Sequence, residues 1–465
     1  MRTAVVLVAG ASALAALTLL APSSPSYDPF AWIVWGRELM PGAGGEPFAL
    51  AGGPSWKPLP VLFTTPFALA GDAAPALWLL VARAGLLLAV AGAFALGRRL
   101  GGLLAGAVAA LALLLLADIV SLAWRGASEP LLLAALLWAF ERHLAGRRTP
   151  AFALGVAAAL IRPELTLFLG AYALWRWRDA GTRERTVLVA GLAVVPLLWI
   201  GVPGLAGDPL AASSTAQTDV GAQAGPVTAV RRGVTLAVLP VWLLASAAVL
   251  LRRRDRAIAL VGVGAVAWIS LIAAMTAAGY AGVARYMLPA AALVSVLAGV
   301  GVAALLTHRR RLAVAMLLAF CAGFMAQQLT RLPGQVREGT AVARATEQLR
   351  AAVAAAGGAE RLRRCALHGW VAVNHTMQSA LAWEVRADLG HVARTMSRPG
   401  LLVRAPRSAA AGAPPAIAMT PAPRADVVAR SGDWRVLAVH ARDASFPRAC
   451  DAREASGPAR RIPNI

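Results

Sequence analysis

The chain is almost without lysine. Lys57 is the only one among 45 basic residues, so where lysine and arginine serve equally well this sequence uses arginine. Lys57, in "GGPSWKPLP", is thus an exception that asks what a compact ammonium does that a planar guanidinium cannot. Carboxylates are scarce too, 23 against 45 cations, for a formal net charge of +22. Such an excess ordinarily suggests nucleic acid, but the arginines sit mostly in short clusters between apolar runs, as topology determinants do, which argues against that partner. Cysteine occurs three times, and His368, His375, His391 and His440 lack a convincing metal spacing; Cys365-x-x-His368 is an isolated match. There is no internal repeat.

What the chain has in abundance is apolar sequence. Hydrophobic residues make up 58% of the total, and the mean hydropathy of +0.64 is too high for an ordinary soluble protein. The expected fold class is an all-α polytopic membrane protein with a small C-terminal α/β domain. Spans are expected near 4–22, 75–97, 103–120 and 130–145, then a split segment at 150–177, then near 186–203, 233–251, 257–279, 287–306 and 312–330. The arginine clusters at 98–99, 142–148, 176–185, 252–256 and 309–311 all fall on the cytoplasmic side only if 150–177 enters the membrane and returns. That gives eleven transmembrane helices in the plasma membrane and an extracytoplasmic C-terminus.

The split segment, "PAFALGVAAALIRPELTLFLGAYALWRW", reads as two arms of about twelve residues, roughly 18 Å of helix each against a hydrocarbon core near 30 Å. Its vertex, Arg162-Pro163-Glu164, then lies at a depth where charge and a proline break are costly unless they line a polar cavity or pack inside protein. An Arg–Glu pair that simply holds two helices together is the alternative.

Residues 1–25 are read as an uncleaved first span, with a cleavable signal peptide as the alternative. The first external loop, 23–70, contains "SYDPFAWIVWGRELM". Asp28-Pro29 reads as an N-cap with proline at the first helical position, and Trp32 and Trp35 fall on about the same face as Asp28. This suits a helix at the membrane interface; Asp28 is then a cap or a functional acid, and the tryptophans an aromatic belt or part of a site. Loop 204–230 is Gly/Ala/Ser/Thr-rich and reads as a connector or as a mobile lid.

Residues 331–465 form a separate, more charged unit, expected to be extracytoplasmic. "VREGTAVARATEQLRAAVAAAGG" reads as a helix with a glycine stop, "CALHGWVAV" as a strand, "SALAWEVRADLG" as a short helix, and "ADVVARSGDWRVLAVHA" as a strand pair around a Ser-Gly-Asp turn. An external location permits a disulfide between Cys365 and Cys450, with free buried thiols as the alternative.

Several charges do not fit the arginine pattern of the cytoplasmic loops. Arg125 and Glu129 in "AWRGASEPL", Arg162 and Glu164, and Arg285 in "GYAGVARYMLP" map to the outer side, and Arg83 lies inside the second span. Singly each suits a snorkelling or paired residue. Together they suggest a basic, partly buried external cavity with a few carboxylates, suited to a phosphorylated, membrane-held ligand. Lys57, stiffened by Pro58 and Pro60, joins this set.

An Asp in the first external loop, "WKPLP" ahead of the second span, "SEP" at the start of a later one, an "RPE" turn and "RYMLP" near the penultimate span together resemble the GT-C superfamily of polytopic glycosyltransferases. The likeness covers about residues 1–330, and is greatest to the bacterial branch related to protein mannosyltransferases and lipid A aminoarabinose transferases. It implies inverting transfer of a sugar from a polyprenyl-phosphate donor to a lipid, glycan or protein acceptor on the external face. Asp28 matches the general base, Lys57 the donor-phosphate lysine, and Arg285 with Tyr286 the arginine-tyrosine pair at the cavity; Arg162 would join them at the phosphate. Where many relatives carry a second acid after the loop aspartate, this chain has Pro29, so Glu38, Glu129 or Glu164 are alternative bases. No cofactor is expected, a divalent metal being possible but unsupported by the sequence. A lipid-linked sugar flippase is the competing reading, although it would more naturally show paired repeats with matching broken helices; an inactive polyprenyl-lipid-binding envelope protein is another.

Overall fold

The computed structural model describes residues 2–43, 49–50, 52–210, 225–408, 410–419, 423–440 and 450. These group into two compact units: Met1–Leu20, Ser55–Leu59 and Leu80–Val336 in the first, Ala21–Pro54, Pro60–Leu79 and Arg337–Ile465 in the second.

The first unit is helical. Its innermost helix, Leu288–His308, is buried continuously from Leu288 to Val302, because Ala, Val, Leu and Gly occupy every face and no polar stripe is left for solvent or lipid. Two glycines permit the approach of its neighbours: Gly299 lies against the backbone of Ala105 and Ala109, and Gly301 against the Leu244 carbonyl, so a methyl group at either would collide with main chain. Around it run Leu239–Leu251, Arg256–Ala277 and Glu129–Leu144. Among the described residues four helical stretches are long and apolar enough to cross a membrane, Pro58–Leu114, Thr182–Leu205, Arg256–Ala277 and Ala284–His308, and a fifth if a bent pair counts as one span. The protein is therefore a multi-pass membrane protein.

Two of the expected spans are interrupted, and the breaks and turns of the chain have local causes. The helical run Ala74–Leu114 is two helices, since Gly102 has φ 87°. Gly97 faces Ala105 and Ala109, and Gly106 faces Phe94, pairs that a straight helix would hold about 12–18 Å apart; the chain turns back here, between the two expected spans. The second of these helices stops at Leu114, short of residue 120, and Asp118 takes a left-handed conformation before a further short helix, Ile119–Trp124. Instead of one span over 233–251, Pro226–Val234 and Leu239–Leu251 meet at 93°, with Val238 extended as the N-cap of the second helix and Pro240 in its first turn. The segment 150–177 is a pair of 12-residue helices, Arg148–Ala159 and Thr166–Trp177, with Arg162 extended before Pro163 between them.

Among the described residues the second unit carries seven strands: β1 Val371–Val373, β2 Val392–Ala393, β3 Thr395–Met396, β4 Gly400–Arg404, β5 Ala416–Ile417, β6 Arg424–Ser431 and β7 Trp434–His440. Five form a mixed sheet of order β2-β1-β4-β7-β6, in which β1 is parallel to both neighbours and β7 antiparallel to both of its own. The helix through Ala355 ends at the left-handed Gly357, as a glycine stop requires. "CALHGWVAV" is a strand only from Val371; Cys365 to His368 close the helix Gly358–His368. Cys365 and Cys450 are joined by a disulfide, Cα atoms 5.1 Å apart, and Cys321 is free and exposed. Of loop 204–230, residues 211–224 lie outside the described residues.

Candidate functional site

Six residues singled out in the sequence converge in the first unit, and Glu129 is their centre. The helix Glu129–Leu144 starts at Ser128, with Glu129 in its first turn and Pro130 behind it; the positive end of a helix favours a carboxylate there. Glu129 is 1% exposed. Its Oε1 lies 3.8 Å from Lys57 Nζ, 3.7 Å from an Arg162 terminal nitrogen and 3.8 Å from Arg285 Nε.

Each cation reaches that point because its own segment is pinned. In "SWKPLP", the Trp56 indole donates to the Leu198 carbonyl at 2.9 Å and the Leu59 amide to Leu160 at 3.0 Å; Lys57 itself donates to Ser128 Oγ at 2.8 Å. Ser128 was not singled out from the sequence, although its place beside Glu129 in "SEP" is the signal that finds it. Arg162 leaves the vertex of the helical pair, its guanidinium 3.7 Å from the centroid of the Tyr286 ring and 3.7 Å from Glu164 Oε1. Arg285 and Tyr286 lie in the short turn Ala284–Met287, whose Tyr286 carbonyl accepts from the Trp268 indole at 2.8 Å.

Among the described residues the cluster brings together Lys57, Arg162 and Arg285 with Glu129 and Glu164. Lys57 and Arg162 are buried and Arg285 about a third exposed. At 3.7–3.8 Å the cations surround Glu129 without hydrogen-bond contact, and among the described residues neither Glu129 oxygen has a hydrogen-bond partner. Cations held 3.7–3.8 Å from a buried carboxylate form a preorganised electrostatic arrangement.

Arg83 and Arg125 have neighbouring partners. Arg83 lies 4.1 Å over the Trp124 ring, donating to Thr18 Oγ1 at 2.9 Å and to the Trp124 carbonyl at 3.2 Å; Arg125 donates to the Ser121 carbonyl at 3.4 Å.

Asp28, Trp32 and Trp35 belong to the second unit. Ser26 is the N-cap of the helix Tyr27–Leu39, so Asp28 stands inside the first turn and is not the cap. Nor is the helix a half-buried interfacial one: every residue from Pro29 to Glu38 is buried. Trp32 packs edge-on against Trp78 at 5.5 Å, and Thr64 donates to the Trp32 carbonyl at 2.7 Å; both tryptophans are core residues because segments from Pro60–Leu79 and the C-terminal part of the chain cover this helix. Arg37, which the sequence reading passed over, donates to the carbonyls of Ala387 at 2.7 Å, Trp383 at 3.3 Å and Ala382 at 3.4 Å, and lies over the Trp383 ring. Burial pulls Arg37 down to about 10, which leaves it charged at neutral pH. Glu38 accepts the Leu50 amide at 2.8 Å. Beside Asp28, burial pushes the Tyr27 phenol up to about 12, and its hydroxyl donates to Gln378 at 3.1 Å.

Comparison with solved structures places this architecture. The chain is similar to ArnT from Cupriavidus metallidurans in the apo state, with a TM-score of 0.54 and 17% identity over 94% of this chain and 98% of that one. Against ArnT from the same organism bound to undecaprenyl phosphate the TM-score is 0.59, with 15% identity over 96% of this chain and 100% of that one. The GT-C likeness seen in the motifs is thus matched by a shared fold across nearly the whole chain. No family model matches the chain, and no curated protein matches it.

Proposed function

We propose that the protein is a membrane glycosyltransferase that moves a sugar from a polyprenyl-phosphate donor to an acceptor on the extracytoplasmic face, with inversion. The observation that carries this is the convergence of Lys57, Arg162 and Arg285 on the buried Glu129. The shared fold with an ArnT that binds undecaprenyl phosphate supports a polyprenyl phosphate as the lipid. The eleven-helix arrangement and the external placement of residues 331–465 belong to the same proposal, drawn from the arginine clusters.

In this reaction the acceptor oxygen attacks the anomeric carbon while the bond from that carbon to the phosphate oxygen breaks, and the electron pair leaves with the phosphate. Lys57, Arg162 and Arg285 stabilise the charge that develops there, in a setting where water competes poorly. Ser128 fixes the Lys57 ammonium, and the Tyr286 ring fixes the plane of Arg162. Asp28 takes the acceptor proton, a role resting on the resemblance. Glu38, which accepts the Leu50 amide, and Glu129 and Glu164, which face cations, are the alternatives.

The test is transfer or hydrolysis from a panel of radiolabelled polyprenyl-phosphate sugars in proteoliposomes, comparing wild type with Asp28→Asn. Turnover by wild type that the variant loses is expected. Lipid crossing the bilayer in both proteins, without turnover of any donor, would replace this reading by the flippase.

A further inference from the structure

Three arginines stand side by side on the sheet of the second unit. Arg404 of β4 is in register with Arg435 of β7, and Arg435 with Arg430 of β6. Residues directly opposite on neighbouring strands project to the same face, and strands lie about 4.8 Å apart, so the three side chains leave the sheet as one row about 10 Å long. All three are exposed, and among the described residues none of them forms an ion pair. Asp426 of β6 is opposite Ala438 and so faces the other side of the sheet, 3.5 Å from His440.

The fold does not require this row. Like charges placed directly opposite destabilise a sheet. Uninterrupted pairing from Val427 opposite Leu437 would set Ala429, not Arg430, against Arg435; a bulge between Val427 and Ala429 inserts one residue and brings Arg430 into line. Bulges re-aim side chains in this way. Along the same face, Leu402, Leu437 and Val439 are packed into an apolar cluster with Trp370, Ala425 and Val427 against it, so the row rises from the end of a rigid, filled surface.

We propose that Arg404, Arg435 and Arg430 form a binding site for a polyanion, such as a polyphosphate, whose several phosphate or carboxylate groups lie along the row of about 10 Å. Guanidinium suits this ligand because its fork meets such oxygens bidentately, where an ammonium offers a point charge. The site is independent of the Glu129 cluster.

The experiment uses the full-length protein in nanodiscs of zwitterionic phosphatidylcholine, titrated with inorganic tripolyphosphate in the presence of saturating undecaprenyl phosphate. Wild type is expected to bind, and the combined variant Arg404→Gln, Arg430→Gln, Arg435→Gln to bind at least about tenfold more weakly. Its Tm should equal or exceed that of wild type, since like-charge repulsion is relieved. Arg435→Gln alone, removing the centre of the row, should reproduce most of the loss. A second arm measures capture of the nanodiscs by vesicles of phosphatidylglycerol. Capture lost in the variants identifies lipid headgroups as the source of the anion; tripolyphosphate binding without capture identifies a soluble polyanion. Wild type binding neither, unchanged affinity in the combined variant, or a loss of affinity accompanied by a lowered Tm in both variants would overturn the proposal.

Discussion

Replacing Glu129 by glutamine removes one charge and almost no volume from the centre of the cluster. In the wild type its Oε1 is 3.8 Å from Lys57 and 3.7 Å from Arg162, both less than one tenth exposed. At an effective dielectric near 20, each such pair amounts to about 4 kcal/mol of attraction, set against several kcal/mol for burying each ion. Arg285, about a third exposed and screened by solvent, adds little to this balance. Removing one partner of a buried pair typically costs about 3–5 kcal/mol, because the other charges stay behind. Glu129→Gln should therefore be destabilised by about that amount without lipid. A bound phosphate then replaces the missing counter-charge, so undecaprenyl phosphate should raise the Tm of the variant more than that of wild type. The assay is thermal unfolding of detergent-purified protein with and without the lipid. An apo variant as stable as wild type, or a lipid shift smaller than that of wild type, would refute the idea that Glu129 is the counter-ion for which phosphate substitutes.

Lys57→Ala should weaken polyprenyl-phosphate binding by about 10–100-fold, and Lys57→Arg should not restore it, because a planar group does not reproduce the 2.8 Å contact with Ser128; binding measured with labelled lipid decides, and full rescue by arginine would show that position-specific ammonium chemistry is not needed. Arg37→Met removes two hydrogen bonds to the last turn of the helix Gln378–Glu384 and one to the Ala387 carbonyl beyond it, a loss of about 2–4 kcal/mol. It should speed limited proteolysis near residues 382–387 and lower transfer while leaving polyprenyl-phosphate affinity unchanged; an equal fall in affinity would mean a global rather than a local effect.

Part of the cluster was legible without coordinates. Lys57 stood out by composition, and Arg162, Glu164, Glu129 and Arg285 by breaking the arginine pattern of the loops, since a charge in an apolar span needs a reason. Their common centre was not legible, because 228 positions separate Lys57 from Arg285 and nothing in local sequence ranks Glu129 above the other acids. The burial of Trp32 and Trp35 was hidden for the same cause: the segments that cover their helix come from distant parts of the chain.

By itself the sequence determined the membrane character, the helical pair around Arg162-Pro163-Glu164 and the strand pair around Ser431-Gly432-Asp433, because apolar run length, proline, glycine and turn chemistry act within a few residues. Tertiary structure alone decided which charges meet at Glu129, that the loop helix is buried from Pro29 to Glu38, and that a single bulge in β6 aligns Arg430 with Arg435 and Arg404. Those outcomes depend on register and on packing between segments far apart in the chain, and neither has a local energetic signature in the residues involved.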